Sequence, residues 1–152
     1  MLSCELVELE PQPAAVVRAT VPFDGLPEFF GQAFTAVMEH LGGQGVSPVG
    51  PPFGFYPAKP RDVVEVRAGF PVATPVVTGG EVESMVLPGG RAVTTTHVGS
   101  YDTLEQTYAE LQAWMSENDV VPGQAVWESY VSDPTTAPPE EWCTEIVWPV
   151  ER

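Results

Sequence analysis

The sequence contains two copies of one pattern, and this duplication constrains the fold more than any other feature. Residues 45–56 align with residues 119–130 at a constant offset of 74, so that Phe53 matches Trp127 and Tyr56 matches Tyr130. At the same offset, apolar residues recur at i, i+4, i+7 and i+11, the spacing of one helix face. These residues are Phe30, Phe34, Val37 and Leu41 in the first copy and Leu104, Tyr108, Leu111 and Met115 in the second. Two copies predict a pseudo-two-fold domain with a seam between its halves.

Each copy is predicted to form two strands, a helix and two further strands. The predicted strands are residues 5–9, 14–21, 48–56 and 63–72 in the first copy and 81–87, 91–98, 124–132 and 143–150 in the second. The predicted helices run from Pro27 to about Leu41, ended by Gly42 and Gly43, and over residues 102–117. We expect one α+β domain over residues 1–152, with repeats at 4–73 and 80–150. Its eight mostly antiparallel strands should carry two helices on one side, with a ligand cleft between the halves.

Composition and charge limit the classes of function. The 152 residues suffice to bury a core, and a hydrophobic content of 43% argues against disorder. Twenty-one acidic residues against six basic ones give a formal net charge of −15. This charge disfavours direct nucleic-acid binding and favours cationic ligands or basic protein partners, unless it serves solubility alone. No apolar run reaches the roughly 20 residues of a membrane span, and the N-terminus lacks signal-peptide features, so we expect a cytoplasmic protein.

The repeat also serves as an internal control that singles out Glu128. Alternation along a strand places Glu128 and Tyr130 on one face and Trp127 on the other. If Trp127 packs under a helix, Glu128 and Tyr130 line the opposite face, where we expect a groove between the halves. Tyr130 has Tyr56 as its counterpart, but the counterpart of Glu128 is Gly54. Glu128 is therefore either an anionic anchor in an aromatic groove or a solvated strand carboxylate.

Other reactive groups are sparse. The sequence has two histidines, His40 and His97, and no cluster with metal-ligand spacing, phosphate-binding loop or nucleophile elbow, so we expect no metal and no cofactor. His97 either lies near the groove or is structural. By their spacing, Tyr108 and Trp148 are interpreted as core residues. Cys4 and Cys143 are expected to be free thiols.

The second copy resembles the GyrI-like family, small-molecule-binding domains that occur alone or fused to AraC-type and MerR-type DNA-binding regions. The resemblance covers nearly the whole chain. It is most specific at HVGSY (97–101), at WESY (127–130) with the following Asp133 and Pro134, and at TEI (144–146) ahead of Pro149 and Val150. It implies a cleft walled by aromatic residues, in which a glutamate binds planar cationic compounds. That glutamate falls on Glu128, and the other candidate ligand-binding residues are Tyr130, Tyr56, His97, Tyr101 and Glu145.

Three hypotheses follow for the function. With no helix-turn-helix before or after the domain, we expect a stand-alone protein that binds hydrophobic, cationic or aromatic small molecules through Glu128. Some stand-alone relatives are described as hydrolases of cyclopropanoid DNA-alkylating compounds, and the second hypothesis assigns such catalysis to Glu128 and Tyr130. The third is an acidic inhibitor that binds DNA gyrase, as the founding member of the family does. Exposed sheet edges also leave a homodimer open.

Overall fold

The computed structural model describes residues 4–57, 63–100, 103–132 and 138–151. The elements occur in the predicted order. The strands are β1 (Cys4–Leu9), β2 (Gln12–Val21), β3 (Phe53–Tyr56), β4 (Val64–Pro71), β5 (Val82–Leu87), β6 (Gly90–Val98), β7 (Val126–Tyr130) and β8 (Cys143–Pro149). The helices are α1 (Leu26–Gln44) and α2 (Leu104–Glu117), and two 3₁₀ turns lie at Phe23–Gly25 and Pro139–Glu141.

All eight strands form one antiparallel sheet in the order β1-β6-β8-β7-β3-β4-β2-β5. Exchanging every strand with its repeat counterpart (β1 with β5, β2 with β6, β3 with β7, β4 with β8) reverses this order and leaves the same sheet. A pseudo-two-fold axis therefore passes between β7 and β3. The outermost strand of each half comes from the other repeat, because β1 pairs with β6 and β5 pairs with β2. The two spatial halves have thus exchanged their first strands relative to repeats 4–73 and 80–150.

Both helices lie on the same face of the sheet. Residues paired directly across strands share a face, and one such row crosses the sheet through Val17, Ala68, Gly54, Glu128 and Ile146. Val17 and Ala68 belong to the core cluster under α1, and Ile146 belongs to the cluster under α2. The predicted α+β class, with eight antiparallel strands and two helices on one side, is confirmed.

The other face of the sheet encloses a core of its own. Phe53, Phe55, Trp127 and Val147 are buried there, in one cluster with Val7 and Leu9 of β1 and with Met85 and Leu87 of β5. Since β1 and β5 are the two edges of the sheet, the sheet must curve enough for both edges to share this core. The expectation that Trp127 packs under a helix is therefore wrong. Curvature alone buries this large ring, together with its counterpart Phe53, on the helix-free face.

The ends of the elements differ from prediction where glycine and proline act locally. Helix α1 continues through Gly42 and Gly43 to Gln44, because the residue that ends it is Gly45, at φ 68°. This left-handed conformation favours glycine, and the Gly45 and Val46 amides donate to carbonyls of the last turn. Strand β3 begins only at Phe53, after two prolines that cannot donate to a ladder. Within the described part of the chain, no helix is long and apolar enough to cross a membrane.

The two cysteines lie on opposite sides of β6. Cys4 pairs in register with Thr95 on one side, and Cys143 pairs with Val98 on the other. Both thiols are free, as predicted.

Candidate functional site

The pseudo-two-fold axis passes between Glu128 and Gly54, which are repeat counterparts and are also paired directly across β7 and β3. Because both helices lie on this face, the Glu128 side chain enters the gap between α1 and α2, where it is only 7% exposed. The expected facing is therefore wrong, because Glu128 lies on the helix-bearing face and not on the opposite one. Strand alternation correctly placed Glu128 and Tyr130 together, but not on the correct side of the sheet.

Two tyrosine hydroxyls hold the Glu128 carboxylate. The Tyr108 hydroxyl on α2 donates to Glu128 Oε2 at 2.5 Å, and the Tyr130 hydroxyl on β7 donates to Oε1 at 3.0 Å. Each carboxylate oxygen thus accepts one charge-assisted hydrogen bond. Among the described residues, the one ion pair joins Arg18 and Glu83, so Glu128 forms no ion pair within that part of the chain.

Burial changes the acidity of the whole cluster. It raises the pKa of the Glu128 carboxyl, and the hydrogen bonds from Tyr108 and Tyr130 and the nearby His97 offset only part of this shift. Burial, together with the Glu128 charge, also raises the pKa of Tyr56, Tyr108 and Tyr130. The tyrosines therefore remain protonated at neutral pH and act as hydrogen-bond donors.

Aromatic rings occupy the gap on both sides of the carboxylate. Beside α1, Phe34 meets Phe70 edge to face, with centroids 5.6 Å apart at 63°. Beside α2, Tyr108 meets Trp148 in the same way, with centroids 6.0 Å apart at 71°. These are equivalent pairs in the two repeats. In each pair one ring comes from a helix, and the helix ring of the second pair, Tyr108, differs from Phe34 by the hydroxyl that reaches Glu128.

Close packing explains why position 54 is glycine. A Cβ atom there would lie 2.9 Å from Cε1 of Phe30 and 3.0 Å from the Tyr130 hydroxyl oxygen. The Phe30 and Tyr130 rings are themselves in contact, with centroids 5.6 Å apart. The axis therefore holds a single carboxylate, and the space across from it is taken by Phe30 and by the Tyr130 hydroxyl.

His97 is buried beneath the start of α2, where both of its ring nitrogens are hydrogen-bonded. Its Nε2 lies 2.9 Å from the Ser100 carbonyl oxygen, to which it must donate. Its Nδ1 lies 2.6 Å from the Thr107 hydroxyl oxygen, with which it forms a hydrogen bond. Both ring nitrogens are thereby engaged in fixing the loop and the first turn of α2.

The other predicted site residues divide between the gap and the rest of the surface. Tyr56 lies in the gap, and its hydroxyl is within hydrogen-bonding reach of Tyr130. Glu145 is exposed and pairs in register with Ser129, which places it on the helix-free face, away from Glu128. Tyr101 lies outside the described residues.

Tyr108 packs against the core cluster under α2, as predicted, but the interpretation as core missed its contact with Glu128. A signal was present in the sequence, since the counterpart of Tyr108 is Phe34 just as the counterpart of Glu128 is Gly54. Relative to the first repeat, the second adds a donor at Tyr108 and an acceptor at Glu128, and these two groups meet in the structure. Trp148, also interpreted as core, does pack in the cluster under α2.

Two surface cavities lie on the outer flanks of the helices. One of about 710 Å³ lies between α1 and the last residues of β2, and one of about 270 Å³ lies between α2 and the end of β6. Glu128 lines neither of these two cavities. No group of three His, Cys, Asp or Glu side chains within the described ranges could hold a metal ion.

Comparisons with known proteins agree with this architecture. The sequence matches the GyrI-like small-molecule-binding domain over residues 2–151. The crystal structure of the EcmrR C-terminal domain superposes with a TM-score of 0.87 at 24% identity, covering 100% of this chain and 99% of that one. The structure of SAV2435 bound to tetraphenylphosphonium gives 0.67 at 13% identity, covering 98% and 94%. A hydrolase from Listeria innocua gives 0.72 at 18% identity, covering 98% and 92%. No protein of curated function matches the sequence. The chain belongs to the family of GyrI-like small-molecule-binding domains.

Proposed function

We propose that this protein binds hydrophobic aromatic cations in the gap between α1 and α2, with Glu128 as the anionic anchor. One observation carries the proposal: a buried carboxylate is held by two tyrosine hydroxyls and forms no ion pair among the described residues. Burying an ionised carboxylate without a counter-ion is costly. A ligand cation supplies the missing charge in surroundings where the attraction is weakly screened.

The surroundings of Glu128 favour an aromatic cation over a small hydrated one. Tyr108, Tyr130 and Tyr56 lie around the carboxylate, and a cation–π contact with such a ring contributes roughly 0.5–2 kcal/mol. The net charge of −15 raises the local concentration of cations around the protein. The structural neighbour SAV2435 was solved with tetraphenylphosphonium bound, and this compound is an aromatic cation.

Ligand entry requires movement of side chains. Phe30 and Phe34 both contact Tyr130, with centroids 5.6 Å and 6.5 Å away. A planar cation can approach Glu128 only when these rings separate, so part of the contact energy offsets the lost ring packing. We therefore expect dissociation constants near 1 μM, which correspond to about −8 kcal/mol, rather than nanomolar ones.

Calorimetric titration with tetraphenylphosphonium tests the proposal. Glu128→Gln removes the charge while keeping the shape, and affinity should fall at least tenfold, or about 1.4 kcal/mol. Glu145→Gln is the matched control, because it removes one carboxylate of the same net charge from the helix-free face and should leave affinity unchanged. Equal affinity of wild type and Glu128→Gln would remove Glu128 from the site.

A second candidate function is hydrolysis of a cyclopropane-bearing electrophile. It is favoured by the raised pKa of the Glu128 carboxyl, which makes the ionised form a better base, beside protonated tyrosines. Glu128 would take a proton from water as the water oxygen attacks a ring carbon. The electrons of the broken carbon–carbon bond would move to a conjugated carbonyl oxygen hydrogen-bonded by Tyr130, and that oxygen would then take up a proton. The net change is addition of one water molecule.

The two functions differ in a measurable way. Decay of a duocarmycin-type compound to its ring-opened hydrate, followed by absorbance and mass, should be about 10²–10⁴-fold slower in Glu128→Gln if Glu128 is the base. Binding of this neutral substrate should survive the substitution. Decay no faster than in buffer, with protein in excess, rules out hydrolysis of this substrate class and leaves the cation-binding proposal standing.

A further inference from the structure

The aromatic walls of the gap are related by the pseudo-two-fold axis. Phe70 pairs in register with Ala15 across β4 and β2, and Trp148 pairs with Val93 across β8 and β6, at the same offset of 78 in both cases. The ring contacts on the two sides have similar geometry, at 63° and 71°. An aromatic pair therefore lies at an equivalent position on each side of the axis.

The charge, in contrast, lies at the axis itself. Glu128 extends from the residue pair through which the axis passes. Its carboxylate is held from both sides: Tyr108 donates from α2, and the donating Tyr130 hydroxyl lies only 3.0 Å from where a Cβ of Gly54 would be. The carboxylate is thus fixed centrally, and the packing around Gly54 leaves no room for a second one.

We propose that the site selects monocations whose charge lies between two aromatic groups, over cations whose charge lies at one end of the molecule. A ligand of the first kind can place its charge at Glu128 while one aromatic group meets Phe34 and Phe70 and the other meets Tyr108 and Trp148. A ligand of the second kind reaches one wall at a time. This inference names the ligand class and rests on the proposed function.

A pair of constitutional isomers separates charge position from charge and size. Dibenzyldimethylammonium carries its nitrogen between two phenyl groups, whereas (biphenyl-4-ylmethyl)trimethylammonium has the same atoms and the same permanent charge, with the nitrogen at one end. Calorimetric titration of the wild-type protein should give roughly tenfold tighter binding of the dibenzyl isomer, the factor expected from one additional aromatic contact.

Removing one wall should abolish the preference. In Phe70→Leu, the affinity for the dibenzyl isomer should fall towards that for the biphenyl isomer. The affinity for the biphenyl isomer should change little, because the Tyr108–Trp148 wall is still available to it. Phe55→Leu is the matched control, because Phe55 is a buried phenylalanine on the helix-free face. It should retain the roughly tenfold preference. If either variant fails to fold, the comparison of isomers on wild-type protein decides alone.

The outcomes distinguish this inference from the proposed function. Equal affinities of the two isomers, or tighter binding of the biphenyl isomer, overturn the preference for a central charge. If both affinities still fall in Glu128→Gln, the cation-binding function stands. If neither isomer nor tetraphenylphosphonium binds, both the inference and the proposed function are wrong.

Discussion

Glu128 and Gly54 face each other across β7 and β3 at the pseudo-two-fold axis, and only one of them carries a side chain. Two carboxylates at such an axis would repel each other, and one would have to be protonated. The second difference between the repeats, Tyr108 in place of Phe34, supplies a donor to the single carboxylate. The candidate site is therefore built where the two copies of the sequence differ, on a scaffold in which they agree.

Cation affinity is expected to fall as the pH is lowered through the raised pKa of Glu128. Because burial raises this pKa, a proton competes with the ligand at a higher pH than it would at an ordinary glutamate, with a pKa of about 4.3. Above the raised value the carboxylate is charged and the affinity should level off. Binding titrations with tetraphenylphosphonium, whose charge does not depend on pH, should show this decrease in affinity with falling pH in wild type and in Glu145→Gln. A similar decrease in Glu128→Gln would assign it to another group.

The same shift predicts how stability depends on pH. A carboxyl whose pKa is higher in the folded state than in the unfolded state binds more protons when folded, so the free energy of unfolding falls as pH rises between the two values. The Glu128→Gln variant has no carboxyl at this position, so its free energy of unfolding does not fall for this reason. Urea unfolding at a series of pH values should therefore show the free energy of unfolding of the variant increasing relative to that of wild type from about pH 4.3 upward. The difference should become constant above the raised pKa. A constant difference across this range would contradict a raised pKa.

Removing the Tyr108 hydroxyl should make the Glu128 carboxyl a still weaker acid. Tyr108→Phe deletes the donor to Oε2, and this hydrogen bond lowers the pKa. The midpoint of the pH dependence of cation binding should move to higher pH. Tyr56→Phe is the control, because the Tyr56 hydroxyl reaches Tyr130 and not the carboxylate, and its shift should be smaller. An unchanged midpoint in Tyr108→Phe would mean that this hydrogen bond is not formed in solution.

A methyl group at the axis should destabilise the protein. In Gly54→Ala, the new Cβ meets Phe30 at 2.9 Å and the Tyr130 hydroxyl at 3.0 Å, and such overpacking costs about 1–3 kcal/mol. Gly31→Ala in α1 is the matched control, since its Cβ meets nothing within 4 Å. It should stabilise the protein by roughly 0.5–1 kcal/mol, the helix preference for alanine. Urea unfolding measures both, and a stabilised Gly54→Ala would show that the axis is not tightly packed.

The sequence was sufficient to predict the elements and the class of fold, because these depend on local periodicity and on the repeat. The alternation of Glu128, Tyr130 and Trp127 also correctly separated the residues into two faces. It could not show which face carries the helices, because the curved sheet buries apolar residues on both faces. The exchange of β1 and β5 between the halves could not be predicted either, because it depends on strand pairing between the two repeats.

Comparison of the two repeats was the most informative guide to the candidate site. Comparison of Glu128 with Gly54 identified the carboxylate, and the same comparison of Tyr108 with Phe34 would have identified its donor. Glu145 was proposed from the family resemblance and not from the repeat comparison, and the structure places it on the other face. The roles of His97 could not be read from the sequence, because its partners, Ser100 and Thr107, depend on how α2 packs on β6.

The most direct test of the account is a crystal structure of the protein with tetraphenylphosphonium. The account predicts the cation between α1 and α2, with its phosphorus about 4–6 Å from the Glu128 carboxylate oxygens. Phe30 and Phe34 should be displaced from Tyr130 to admit it, and at a cation concentration near the wild-type dissociation constant Glu128→Gln should show a much lower occupancy of the gap. A cation bound instead in the cavity between α1 and β2, or bound equally in Glu128→Gln, would contradict the central claim that Glu128 anchors the ligand.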